Sequence, residues 1–319
     1  MIDRFNHLDW GSNGMKMGFT FFGGLFTLFL LIAGTPWGMA RAADNAAAQW
    51  HFIHNAPETV DDRRYDYHWR VLRAALEATR EKYGAYVLEP SLPMSEKFQV
   101  VEMQRARGVL NTIVLDATIA LEETLQPVKI PVDKGLLGYR VFLIPAELQS
   151  RFSSVQSFEQ LRQFRFGQQR EWSDVAIYKA AGLEVVTGSS YEGLFRMLML
   201  GRFDAFGRGV TEVSGELEHW RKDYPQMAIE QELLLYYPLP VYFWFPRNEE
   251  GSRHAQRVEE GMRAIVANGT LDRLFTEEYA ATIKKLGLDK RRVFRIGNPQ
   301  LPPGQPFDNQ AYWFNPALP

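Results

Sequence analysis

Arginine and tryptophan side chains placed at the predicted ends of β-strands have the clearest capacity for chemistry in this 319-residue chain. Gln169-Arg170-Glu171-Trp172 closes one strand, and Arg208, between Gly207 and Gly209, closes another. A guanidinium forms paired hydrogen bonds to a carboxylate or phosphate, and an indole offers a flat apolar face. Thr118 ends a third strand; Arg63 and Tyr65 follow the first. In open α/β sheets, ligands bind beyond the carboxyl ends of the strands, so Arg63, Tyr65, Thr118, Gln169, Arg170, Trp172 and Arg208 are the candidate ligand-binding residues. The arginines and Trp172 have plainer alternatives. Arg170 and Arg208 also read as solvated charges, Trp172 as a core residue, and the Asp61-Asp62-Arg63-Arg64 run as the charged first turn of a helix. Asp204 reads as structural, accepting bonds from turn amides.

Other chemistries fail on residue type or spacing. With no cysteine, thiolate metal sites, disulfides and cysteine nucleophiles are excluded. His51 and His54 are three apart on a predicted strand and so face opposite sides, which prevents both from binding one ion. Paired acids such as Glu122-Glu123 and Glu277-Glu278 read as charged faces or helix starts. No phosphate loop, dinucleotide fingerprint or nucleophile elbow is present, and no cofactor is expected. An enzymatic reading would need an acid or base at the strand ends, where Glu58, Glu171 and Glu212 are the options. The balance of 36 basic and 38 acidic residues gives no field to hold a polyanion, so nucleic acid is not an expected partner.

The elements that must position these residues follow from periodicity. Met17–Ala40 is free of charge, dense in Phe and Leu, and ends in Ala40-Arg41-Ala42. This reads as a signal peptide cleaved after Ala42, with Met15 or Met17 as an alternative start, and it directs the chain to the periplasm. The alternative is an uncleaved anchor. Beyond it, strands at His51–His54, Ala85–Pro90 and Asn111–Ala117 alternate with helices, the pattern of a parallel sheet covered by helices. After the β-rich Gly138–Pro145 run the same pattern restarts, with strands at 165–169, 183–187 and 202–206. The charge-free Leu233–Pro246 stretch, broken by Pro238 and Pro240, reads as a return crossover. Separate helices at 271–275 and 277–286 then pack back on the first lobe. The expected division is 1–42 signal peptide, 43–139 with 237–298 as a discontinuous first lobe, 140–236 as an inserted second lobe, and 299–319 as a Pro-rich tail. Tyr312, Trp313 and Phe314 are its candidate anchors.

Four blocks carry a family resemblance: DDRRYDYHWRVLRAAL, PVDKGLLGYRVFLI, FGQQREWSDVAIYKAAGLEVV and SSYEGLFRMLMLGRFDAFGRGVTEV. Over roughly Trp50 to Gly297 the chain resembles the periplasmic solute-binding proteins of the type II fold, related to the family 3 amino-acid importers. The resemblance implies an α/β fold of two lobes, each a mostly parallel sheet flanked by helices, joined by two hinge crossovers around a ligand cleft. It implies a monomer that captures a small polar or anionic solute for an ABC-type inner-membrane permease. The usual α-amino-acid clamp is missing: Ala117–Thr124 has no arginine, and Gly209 stands where an aspartate is usual. A dehydratase-like lyase on the same scaffold and a sensory binding module are the alternatives.

Overall fold

Short apolar runs rich in Val, Ile and Phe, closed by Gly, Pro or Asn, form the strands, and amphipathic stretches between them form the helices. The computed structural model describes residues 50–56 and 65–316. The expected export signal with its cleavage site, together with Glu58 and Arg63, lies outside the described residues.

The chain first lays down β1 (Trp50–His54), α1 (Asp66–Ala78), α2 (Arg80–Tyr83), β2 (Tyr86–Pro90), α3 (Glu96–Arg105), β3 (Ile113–Asp116), α4 (Ile119–Thr124) and β4 (Leu125–Val128). It then crosses into β5 (Tyr139–Pro145), α5 (Gln149–Ser153), α6 (Phe158–Leu161), β6 (Arg165–Gln169), α7 (Asp174–Ala180), β7 (Glu184–Gly188), α8 (Tyr191–Met199), β8 (Ala205–Gly209), α9 (Val213–Trp220) and β9 (Met227–Ile229). It returns through β10 (Leu233–Tyr236) and β11 (Val241–Pro246), adds α10 (Glu249–Ala267) and α11 (Thr270–Leu286), and forms β12 (Arg292–Arg295).

Two α/β lobes with one strand plan result. In the first, β2 pairs in parallel with β1, a parallel bridge from His54 to Thr112 brings up β3, and β11 lies antiparallel between β3 and β4. The order is β2-β1-β3-β11-β4. In the second, β7 pairs in parallel with β6 and β6 with β8, while β5 runs antiparallel to β8 and to β9. That order, β7-β6-β8-β5-β9, repeats the first position for position. In both lobes the antiparallel strand is the one that the chain lays down just after crossing over.

The outer faces of the sheets have separate cores: Phe142, Phe152, Phe166 and Tyr178 in the second lobe, and Met103, Ile113, Tyr242 and Trp244 in the first. A third core is shared. It runs from Phe52, Leu72 and Val258 through the linker residues Val132, Leu136 and Tyr139 to Leu143, Phe195 and Phe206. The described residues accordingly form one compact unit, with the joint between lobes packed rather than open.

Local sequence explains most elements and some departures. Ser157 and Gln160 form a capping box, and Ser190 caps α8 by accepting from Gly193 N–H. The expected break at 276 is absent: α11 is one helix, because Leu271, Leu274, Phe275 and Tyr279 hold a continuous stripe. In α3, Gln99, Glu102 and Met103 are buried while Phe98 is exposed. The strand predicted at 202–206 starts at Ala205, since Asp204 accepts bonds from the Arg165 N–H and guanidinium and closes the turn before it. The return crossover splits into β10 and β11 at Tyr237–Pro240, where two prolines remove ladder donors.

The crossovers touch at Gly138, whose carbonyl accepts from Tyr237 N–H at 3.2 Å. A methyl group at Gly138 would collide with the Tyr237 carbonyl oxygen, a backbone atom with little freedom to move. Gly138→Ala should therefore cost about 1–3 kcal/mol in denaturant unfolding. Gly215→Ala, with open space around it inside α9, should be neutral or stabilising.

Candidate functional site

The strand ends of both lobes converge where the two crossovers meet. Arg140 is the second residue of β5 and is buried. Its Nε donates to Tyr237 Oη at 2.7 Å, Nη2 lies 3.1 Å from Asp174 Oδ1, and Nη1 lies 3.8 Å from Glu212. The Tyr237 hydroxyl in turn donates to Asp174. Although burial works against the charge, Asp174, Tyr237 and Glu212 hold the Arg140 pKa above its ordinary value. One ion thus ties β5, the return crossover and the first residue of α7 together. The buried Tyr178 hydroxyl in α7 and Gln168 amide in β6 extend this polar patch.

The residue before Asp174 reaches the other lobe. Ser173 Oγ donates to Asp116 Oδ2 at 3.0 Å, joining the start of α7 to the end of β3. Burial pushes the Asp116 carboxyl up to about 6; the serine bond opposes this, and the like charges of Asp174 and Glu96 add to it. The next residue, Ala117, donates its N–H to the Pro240 carbonyl of the return crossover at 2.9 Å. Thr118 then caps α4, its hydroxyl accepting from Leu121 N–H at 3.2 Å.

Arg208 lies in the same lobe as Ser173 but is turned inward. Both its Nε and Nη2 bond Glu216, at 2.9 and 2.6 Å, and Nη2 is 3.1 Å from Glu212. The guanidinium lies 4.7 Å from the Trp172 ring and 5.0 Å from that of Phe206, and Trp172 stacks on Phe206 with 11° between planes. Tyr191 closes the box, its hydroxyl donating to Glu216 at 2.7 Å. Arg208 and Trp172 therefore form one ion-pair and stacking unit, with the half-buried indole on its outside. The remaining candidates are dispersed. Gln169 is half-buried and Arg170 is exposed in the turn leading to Trp172. Tyr65 donates to Glu96 at 2.9 Å. Glu212, an acid–base option, has its carboxylate on Arg208, Arg140 and Gly209 N–H, and Glu171 is exposed. His51 pairs with Glu89 at the surface while His54 stacks on Trp69, so the two diverge.

The central residues Asp116, Arg140, Ser173, Asp174 and Tyr237 are absent from the sequence-based candidates. Two of them carry a signal in hindsight: Asp116 ends an apolar strand, and Arg140 is a lone charge in a run that is otherwise fully apolar and buried.

The strand order common to the lobes, with one antiparallel strand next to the crossover in each, makes this an α/β chain of two lobes built on one plan. No family model and no curated protein matches the sequence. Among solved structures, the chain is similar to an ancestral arginine-binding protein bound to arginine, at 16% identity and TM-score 0.47 over 72% of this chain and 98% of that one. It is also similar to a Salmonella typhimurium periplasmic binding protein described for high arginine specificity, at 14% identity and TM-score 0.48 over 72% and 99%. A third is the arginine-, lysine-, histidine-binding protein ArtJ of Geobacillus stearothermophilus, at 13% and 0.46 over 73% and 95%.

Two outcomes follow from the geometry. Since Asp116 holds its proton more tightly folded than unfolded, where its ordinary value is 3.8, the folded state binds more protons between those values and stability falls as pH rises through them. Asp116→Asn removes that loss, so the melting temperature of the variant minus that of the wild type should climb from about pH 4 to about pH 7. A flat difference would put the carboxyl in solvent. Arg208→Ala strands the buried Glu216 carboxylate and should cost about 3–5 kcal/mol in urea unfolding.

Proposed function

We propose that this chain is an exported solute-binding protein that captures a small polar solute between its lobes. The Asp116–Ser173 bond carries the reading: a carboxylate and a hydroxyl from opposite lobes meet at the carboxyl ends of their sheets, beside both crossovers. A solute with a hydrogen-bond donor takes the place of Ser173 on Asp116. In this proposal Thr118 from the first lobe and Gln169, Arg170 and Trp172 from the second supply further contacts from their strand ends, with Arg170, exposed in the turn, as the partner for an anionic group. Arg208 takes part through Trp172, as the brace beneath the indole. Tyr65 and Arg63 belong to the outer rim.

In this reading the first lobe comprises 43–139 and 237–298, apart from β12, which joins the second-lobe sheet through β10; the second comprises 140–236, and the crossovers bend as the lobes close. The solute favours the closed form only by as much as it binds that form better. Micromolar affinity needs roughly 8 kcal/mol net, within reach of a few charge-assisted bonds and one aromatic face. A monomeric chain that delivers its solute to an inner-membrane ABC permease fits this scheme, and a sensory role would use the same closure.

One observation favours a second reading. A carboxyl pushed up to about 6 at a lobe junction is suited to move a proton, which a lyase on this scaffold would require. A thermal-shift screen of amino acids, polyamines, dicarboxylates and sugars separates the two. A bound solute raises the melting point by mass action, about 2.7 kcal/mol at a hundred times its Kd, and is recovered unchanged; a substrate is consumed. Asp116→Ala should abolish the shift, and Arg170→Ala should weaken it only for anionic hits. A shift that survives Asp116→Ala would take the site away from this junction.

A further inference from the structure

Residues 291–316 do not trail away from the fold. β12 pairs in parallel with β10, adding a strand to the second-lobe sheet. From there the chain bonds in turn to the return crossover, to the first lobe and to the start of the first crossover. Asn298 Nδ2 donates to the Pro238 carbonyl at 2.9 Å, and Asn298 Oδ1 accepts from Gln300 N–H at 2.9 Å, folding a tight turn. The Gln300 carbonyl at the end of that turn accepts Ile119 N–H at 2.8 Å, the first amide of α4, next to Thr118. Further along, Gln305 accepts from the Tyr242 hydroxyl at 2.5 Å in the first lobe. Phe314 N–H donates to the Lys134 carbonyl at 2.7 Å, its own carbonyl accepts from the Tyr139 hydroxyl at 3.2 Å, and Trp313 packs on Gly135. The segment is therefore hydrogen-bonded to both lobes and both crossovers, whereas composition alone marks it as a Pro-rich tail.

We propose that residues 291–316 are a third strap that limits how far the lobes separate, with Asn298 as the positioning residue that fixes the α4 start at the cleft edge. The proposal rests on the lobe-closing reading above. A strap spliced to one sheet by β pairing and to the other lobe by fixed polar contacts resists bending in a way that two crossovers alone do not. Loss of Asn298 releases the strap at its corner, where the Pro238 and Gln300 bonds share one amide. Loss of Trp313 releases its far end, where the indole covers Gly135 and donates to the Pro306 carbonyl at 2.9 Å.

The chain has no cysteine, so Lys97→Cys on α3 and Arg196→Cys on α8, both exposed, take spin labels at two defined points in the full-length protein. Pulsed dipolar spectroscopy should give a narrow interlobe distance distribution for this chain. With Asn298→Ala and Trp313→Ala added, the distribution should broaden about two-fold toward longer distances, because hinge opening is then limited by two crossovers only. Asn298→Ala alone, which disturbs no core residue, should broaden it part-way and keeps the test readable if the double variant folds poorly by circular dichroism. Equally broad distributions with and without the substitutions overturn the strap while leaving a mobile hinge. Narrow distributions in all three chains overturn the strap and the lobe-closing reading together.

Discussion

The buried charge of Arg140 is the constraint around which the molecule is arranged. A guanidinium placed one residue into a fully buried strand must be neutralised, and breaking such a pair costs several kcal/mol. Asp174 from α7 and Tyr237 from the return crossover meet that need together, each also bonded to the other. Three segments distant in sequence are thereby fixed at one point. Because Ser173 is the neighbour of Asp174, the same point sets where the second lobe reaches across to Asp116. Burial of the junction raises the affinity of Asp116 for a proton, and the lobe contact is made through it.

Arg208 illustrates how a residue's role depends on what the fold puts beside it. Its type and position at a strand end suit an anion, yet Glu212 and Glu216 lie four and eight residues along the chain and take it first. The stacked Trp172 then covers it. In the candidate site, the arginine left exposed is Arg170, at the end of the neighbouring strand. The electrostatic balance at the junction is consequently weighted toward carboxylates, with Asp116 having a hydroxyl rather than a cation as its side-chain partner.

Much of the fold was legible because it depends on local periodicity and capping. β1, β2, β3, β5, β6 and β7, the Ser157 box and the Ser190 cap can all be read from a few residues each. Elements that depend on tertiary pairing were not legible: β12 has an unremarkable Arg-Val-Phe-Arg sequence and becomes a strand because β10 offers it an edge. The anchoring aromatics of the tail were visible, but not the path between them, which runs on backbone carbonyls that any sequence supplies. The candidate site was read from strong side chains at strand ends, and the residues that meet between the lobes were not among them. Asp116, Ser173 and Asp174 are unremarkable singly; their meaning comes from the approach of two lobes. Arg63 and Glu58 lie outside the described residues.

The placement of β11 bears on how the chain acquires its fold. This strand sits in the middle of the first-lobe sheet, between β3 and β4, yet it is made only after the whole second lobe. Until it emerges, β3 and β4 have no strand between them and present open ladder edges. As the chain is produced from its amino terminus, the half begun first must therefore be the half completed last. Such long-range pairing slows folding and prolongs the exposure of sticky edges. During that interval the unpaired edges of β3 and β4 are where the chain is most open to aggregation.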